Sequence, residues 1–231
     1  MSRRESRQPI GEMTTMQWWN GFGRTARAGL LLAAAGLGVA APAAAQTPPD
    51  QLVRGVADDV LGIMRQDQEL RAGNQSRMAE LIEQKIAPHF DFERMTRLAV
   101  GKNWRQANAA QQKSLVQEFR NLLVRSYSAA YTAYKEIAVE VRPLKLQPSD
   151  EDVQVRTQIK LPGDAPPVSV DYSMYKSPAS WKVYDVAVDG VSLVTTYRSS
   201  FSEQIRQSGI DGLVKSLQDM NARKAEPAKK P

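Results

Sequence analysis

The chain has 231 residues, no cysteine, one histidine and a formal net charge of +6. That composition excludes thiol nucleophiles, cysteine-ligated zinc, disulfide staples and paired-histidine metal sites. No GxxxxGK[ST] or GxGxxG loop occurs, so nucleotide binding has no support in the sequence, and no cofactor motif is present.

Residues 1–45 read as a signal peptide. Arg24 and Arg27 precede a charge-free run over 28–41, which breaks at Pro42 and ends in Ala43-Ala44-Ala45, a small-x-small cleavage pattern. Cleavage before Gln46 is expected, followed by export to the periplasm. The alternative is an uncleaved anchor, because 28–45 approaches the ~20 apolar residues of a spanning helix. Arg3-Arg4 lies too far upstream to serve as a twin-arginine signal, and a later start at Met13 or Met16 accounts for the long leader more simply. The leader holds five Arg and two Glu, half of the formal +6. The remaining charge is modest and its signs are interspersed, which argues against nucleic acid and leaves a weak attraction to anionic headgroups. Residues 46–222 are expected to form one domain with a substantial core. The Lys/Pro-rich stretch 223–231 reads as a disordered tail.

After a short linker at 46–49, apolar residues recur at helical spacing from Leu52 to Met64, with Asp50 as the expected N-cap. A second helix is predicted from Ser76, bearing Met78, Leu81, Ile82 and Ile86, and stopped by Pro88. Asp91 caps a short helix with Met95, Leu98 and Ala99, and Gly101 stands where a residue of positive φ ends it. The longest helix runs over 109–134, with Asn108 and Gln111 as a capping box. Near Glu136 the period changes to two: Ile137, Val139 and Val141 form one strand, and Val153, Val155, Thr157, Ile159 and Leu161 another.

Pro162-Gly163-Asp164 is a turn, after which Val168, Val170, Tyr172 and Met174 form the next dry face. The strand 181–188 alternates poorly, as though both faces were covered. Asp189-Gly190 turns the chain, and 191–197 either completes the sheet or bends away from it. Helices at 200–207 and 210–222 follow, with Ser208 as the expected cap of the second. Helices, then strands, then helices again give an α+β fold with a mainly antiparallel sheet.

Candidate chemistry is sparse. His89 suits a structural role, and Asp91 serves better as a cap than as a ligand. Asp171, Asp185 and Asp189 are the carboxylates available to a small isomerase-like enzyme with a raised-pKa base in an apolar pocket. Turn formation and surface pairing are their alternative roles. Dry strand faces and a broad helical stripe either pack on one another or stand apart around a cavity, and periodicity is the same in both cases.

Two stretches add a resemblance. One runs Trp181-Lys182-Val183-Tyr184-Asp185-Val186-Ala187-Val188-Asp189-Gly190-Val191-Ser192-Leu193-Val194-Thr195-Thr196-Tyr197-Arg198, with Gly209-Ile210-Asp211-Gly212-Leu213 soon after. The other includes Phe90-Asp91-Phe92-Glu93-Arg94-Met95 and Ala99-Val100-Gly101-Lys102-Asn103-Trp104-Arg105. Together they resemble the MlaC/toluene-tolerance family of periplasmic phospholipid-binding proteins. The resemblance implies helices around a sheet enclosing a deep hydrophobic pocket for acyl chains. It implies a non-enzymatic carrier between an outer-membrane lipoprotein complex and an inner-membrane ABC transporter with an MCE-domain subunit, which maintains outer-membrane lipid asymmetry. The expected lipid-contacting walls are Phe92, Met95, Trp104, Phe119, Leu123 and Tyr127 from helices, with Val139, Val155, Val170, Tyr172, Val186, Val191 and Leu193 from strands. Each by itself also fits an ordinary core position.

Overall fold

Caps and breakers decide where the helices of this chain start and stop. The computed structural model describes residues 46–133 and 137–222, so the expected leader, its cleavage site and the Lys/Pro tail lie outside the described residues. Helix α1 (Pro49–Gln66) starts two residues earlier than the cap reading predicts. Pro49 opens the first turn, where its missing N–H costs nothing. Asp50 is therefore inside the helix, and its carboxylate accepts from the Leu144 N–H at 3.4 Å.

A short helix that periodicity misses, α2 (Gln68–Arg71), is held by Asp67, whose Oδ1 accepts from the N–H groups of Glu69 and Leu70. Asn74 caps α3 (Gln75–Leu81) by accepting from the Arg77 N–H, so the helix starts one residue before Ser76. The chain then loosens into a π-helical turn (Ile82–Ile86) and tightens into a 3-10 turn (Ala87–His89) around Pro88, which has no N–H to continue the ladder.

Asp91 caps α4 (Phe92–Val100) through the Arg94 N–H at 2.8 Å, and Gly101 beyond it has φ 63. A 3-10 segment (Gly101–Gln106) leads to α5 (Ala109–Ala133). The predicted capping box is present: Asn108 Oδ1 accepts from the Gln111 N–H at 2.9 Å, and Gln111 Oε1 accepts from the Asn108 N–H at 3.0 Å.

Five antiparallel strands follow in simple meander order: β1 (Ala138–Val141), β2 (Asp152–Lys160), β3 (Val168–Lys176), β4 (Trp181–Val188) and β5 (Val191–Ser192). The uneven alternation of β4 has a specific cause. Met174 pairs with Val183 and Ser173 with Asp185, leaving Tyr184 as an extra residue. This bulge resets the pleat, so Trp181, Val183 and Val186 all join the same buried cluster. The strand has one dry face with a register change, where two covered faces had been expected.

Asp189 and Gly190 have φ of 48 and 82, which suits a two-residue hairpin between Val188 and Val191. The sheet then ends after Ser192, earlier than a run of β-branched residues suggests. Helix α6 (Leu193–Ala222) begins at once, because Ser192 Oγ accepts from the Thr195 N–H and Asp185 Oδ1 accepts from the Val194 N–H. The two predicted terminal helices are both present within this run, meeting at Gly209, whose φ of 73 lies outside helical space; the first of them starts earlier than expected, at Leu193. Ser208 does not cap the second half; its hydroxyl donates to the Gln204 carbonyl.

Three apolar clusters result. The first joins α4, α5 and α6 around Phe119 and Phe201. The second is the inner face of the sheet, with Leu52 and Val53 of α1 against it. The third ties α1, α2 and α3 to Val124 of α5. No described helix is long and apolar enough to cross a membrane.

Candidate functional site

The three clusters meet without filling the space between them. A cavity of about 270 Å³ opens at their junction, with Met95 and Leu123 from the helical cluster, Val170 and Val186 from the sheet, and Ile82 and Val124 from the third. Eighteen residues line it, and none carries a formal charge. A second space of about 100 Å³ lies between α1 and the sheet. Ile86, Phe90, Ile137, Ile159 and Tyr172 line both, so a single layer of side chains divides them. Even together they reach only the lower part of the roughly 300–1,000 Å³ range of ligand pockets.

Each wall has a local origin. On β3, Val170 and Tyr172 point inward because alternation puts Ser169, Asp171 and Ser173 on the other face. On β4, the bulge keeps Val186 and Val188 on the cavity side. Phe92 and Met95 come from the face of α4 that the Asp91 cap aims at the sheet. The backbone there is pinned by the Asp91 N–H donating to the Val183 carbonyl at 2.8 Å. Leu123 and Tyr127 lie one turn apart on α5. The Thr157 hydroxyl, buried beside the site, is satisfied by donating to the Val170 carbonyl at 2.6 Å, so it makes no unmet polar demand on the cavity face of that strand pair.

Eight of the expected wall residues line the larger cavity: Phe92, Met95, Leu123, Tyr127, Val170, Tyr172, Val186 and Leu193. Val139 lines the smaller one. The other four are elsewhere. Phe119 is fully buried inside the helical cluster, edge-on to Tyr197 and Phe201 at centroid distances of 4.9 and 5.2 Å. Val155 is buried in the sheet cluster, and Trp104 packs on the rim of the helical cluster. Val191 is 61% exposed, because the tight Asp189-Gly190 hairpin turns it to the outside.

The walls that the sequence reading passed over include Ile82, Ile86, Phe90, Ile137, Ile159 and Val168. The last three stand on the same dry faces as residues that were chosen, and the antiparallel pairing of Ile159 with Val168 puts them side by side. Ile137 and Leu161 also border a surface groove that contains Arg65 and Lys160. At those two residues the lining of the apolar space adjoins a groove with positive charge.

The carboxylates stand apart from this space. Asp185 accepts from the Ser192 hydroxyl at 2.6 Å and from the Val194 N–H at 3.1 Å, fastening the start of α6. Asp189, in its turn, accepts from the Ser169 N–H of the neighbouring strand β3 at 2.9 Å. Asp171 lies on the face of β3 opposite Val170 and Tyr172, with one buried oxygen that has no partner among the described residues. It borders neither cavity. His89 lines the smaller cavity, where burial and then the nearby Lys182 charge lower its pKa below the usual 6.5. Among the described residues, no three His, Asp or Glu side chains gather as a metal site.

Comparison with known proteins fits this arrangement. A solved phospholipid-binding protein from Ralstonia solanacearum, in complex with a phospholipid, is 36% identical with a TM-score of 0.70, covering 76% of this chain and 98% of that one. The toluene tolerance protein ttg2D of Pseudomonas putida is 25% identical over 170 residues, 73% of this chain and 77% of its own length. The intermembrane phospholipid transport system binding protein MlaC of Haemophilus influenzae is 21% identical over 178 residues, 76% of this chain and 83% of its own length. The family model described as MlaC protein matches residues 54–219, which is most of the chain. With that span matched and an uncharged cavity at the centre of it, the chain belongs to the MlaC family.

Proposed function

We propose that this protein is a phospholipid carrier whose acyl chains lie in the cavity between the sheet and α4 and α5. The supporting observation is the wall itself: eighteen lining residues without a formal charge, at the junction of the three apolar clusters. Leaving acyl chains in water costs roughly 0.8 kcal/mol per methylene, so a chain of about fifteen methylenes needs some 12 kcal/mol of shelter. Such a wall supplies shelter of that kind.

The headgroup sits at the Ile137–Leu161 end, where Arg65 and Lys160 border the opening and its phosphate keeps its hydration. A diacyl lipid needs more room than the two spaces provide, so the shared layer of Ile86, Phe90, Ile137, Ile159 and Tyr172 moves aside to merge them. Residues 46–222 act as one lipid-binding unit. The chain works in the periplasm after cleavage before Gln46, without catalysis. It exchanges lipid with an outer-membrane lipoprotein complex and with an inner-membrane ABC transporter carrying an MCE-domain subunit, and so serves outer-membrane lipid asymmetry. The solved Ralstonia solanacearum relative, named for its phospholipid, supports the choice of ligand.

The test is organic extraction of the purified mature chain followed by lipid mass spectrometry. Phospholipid is expected at a stoichiometric level, replaceable by exchange with liposomes. A chain that carries none and accepts none overturns the carrier reading.

A further inference from the structure

The residues that carry the family resemblance are not all accounted for by the cavity. Lys102, Trp104 and Arg105 from one stretch and Arg198 from the other meet in a surface groove that shares no residue with either cavity. Arg97, Leu98 and Gly101 complete its floor and rim with Ser202. Four cations therefore surround one half-buried indole and one half-buried leucine, and no carboxylate lines the groove.

Several basic side chains on the described surface find acidic partners: Arg77 with Asp67, Arg120 with Glu83, Lys160 with Glu140, and Arg206 with Glu203. None of Arg97, Lys102, Arg105 and Arg198 forms an ion pair with a described residue. Gathering like charges without a counter-charge costs stability. Part of that cost has a local explanation, since Arg198 donates from Nε to the Leu98 carbonyl at 2.8 Å, near the C-terminal end of α4 where cations are favourable. That accounts for one cation fixed in place. Arg97, in the last turn of α4, is favoured in the same way, which leaves Lys102 and Arg105 unexplained.

The shape narrows the ligand. The groove is concave, and Trp104 lies half-buried in its floor against the helical cluster. A recessed apolar floor between cationic walls fits a narrow, negatively charged chain with an apolar side group.

We propose that this groove docks an acidic segment of a protein partner. Its carboxylates pair with Arg97, Lys102, Arg105 and Arg198, and an apolar side chain rests on Leu98 and Trp104. The inference stands independently of lipid carriage, because the groove and the cavities have no residue in common.

Titration of the mature chain with an oligo-glutamate peptide carrying a central leucine tests it, read by tryptophan fluorescence. The only other tryptophan of the mature chain, Trp181, is 2% exposed, so a change in emission reports Trp104. A saturable change that weakens as salt rises is expected. The pair Lys102→Glu and Arg105→Glu should weaken it on the order of tenfold or more, through like-charge repulsion. The milder pair Arg97→Gln and Lys102→Gln should weaken it less, in the same direction. Unaltered affinity in both pairs, or no response to the peptide, overturns the proposal. A response to phosphatidylglycerol vesicles in place of the peptide also overturns it and assigns the groove to a membrane surface.

Discussion

Phe119 and Leu123 are neighbours on one face of α5, one turn apart, yet they meet opposite surroundings. Phe119 is enclosed by Tyr197 and Phe201 in a filled three-helix cluster, whereas Leu123 borders open space. The difference lies in what stands across from each. Helices in ridge-and-groove contact approach to about 8–10 Å and interdigitate. A twisted sheet and a helix layer diverge along their length, so side chains of similar size close the gap at one end and line it at the other. Apolar surface is removed from bulk water in both places, and only one of them is packed.

The contrast can be broken most strongly at its filled side. Phe119→Ala should cost about 3–5 kcal/mol, read as a fall in the urea midpoint, because the rigid aromatic cluster cannot collapse onto the space left behind. A loss near 1 kcal/mol would mean the helical cluster is as yielding as the cavity wall.

Enlarging valines on the two sides is the sharper comparison. Val155→Phe, in the closed part of the sheet, should lose roughly 1–3 kcal/mol by overpacking. Val170→Phe, at the cavity, should change stability by less than about 1.5 kcal/mol while lowering the phospholipid that copurifies. Equal destabilisation of the two, with unchanged lipid, would erase the distinction.

Gly209→Ala addresses how the filled cluster is assembled. Its φ of 73 lets α6 kink so that Leu213 and Leu217 return to the cluster. A side chain there should cost about 1–3 kcal/mol in a thermal or urea melt, without altering lipid content. Lost lipid with unchanged stability would instead tie the kink to the cavity.

The smallest expected effect is at His89, beside the second cavity. Its folded-state pKa is depressed by burial and by Lys182, so the unfolded chain takes up the proton first as pH falls. The stability it contributes is complete above the unfolded value of 6.5 and is lost as pH falls through 6.5 to the lower folded value. His89→Gln should flatten that acid-side decline in urea midpoints. A decline of the same size in the variant would assign it to other groups.

Much of this fold was legible because its causes are local. Asp91 before Phe92, and Asn108 three residues before Gln111, announce helix starts that the backbone then satisfies. Alternation identified the dry faces of β1, β2 and β3 and hence most of the walls. What alternation lacks is the identity of the opposite surface. Val155 and Val170 share the dry face of one sheet, and only the helices decide which of them is covered.

Val191 misled for a different reason: the hairpin that ends at it is so tight that its side chain leaves the cavity face. The start of α6 was hidden because Asp185, eight residues before Leu193, reaches the helix end through space. Against that cap the β propensity of Val194, Thr195 and Thr196 loses. The bulge at Tyr184 was visible as broken alternation, but broken alternation has two causes and the strand pairing distinguishes them.

By itself, then, the sequence determined which chemistries are absent, where most of the elements lie, which faces are dry, and the family resemblance at 90–105 and 181–198. Only the tertiary structure decided whether the dry faces meet or stand apart, and which cations gather around Trp104. The reason is physical. Hydrophobic burial depends on area removed from water and is indifferent to what replaces it. A filled core and a lined cavity are thus written in the same residues, and the distance between the elements alone tells them apart.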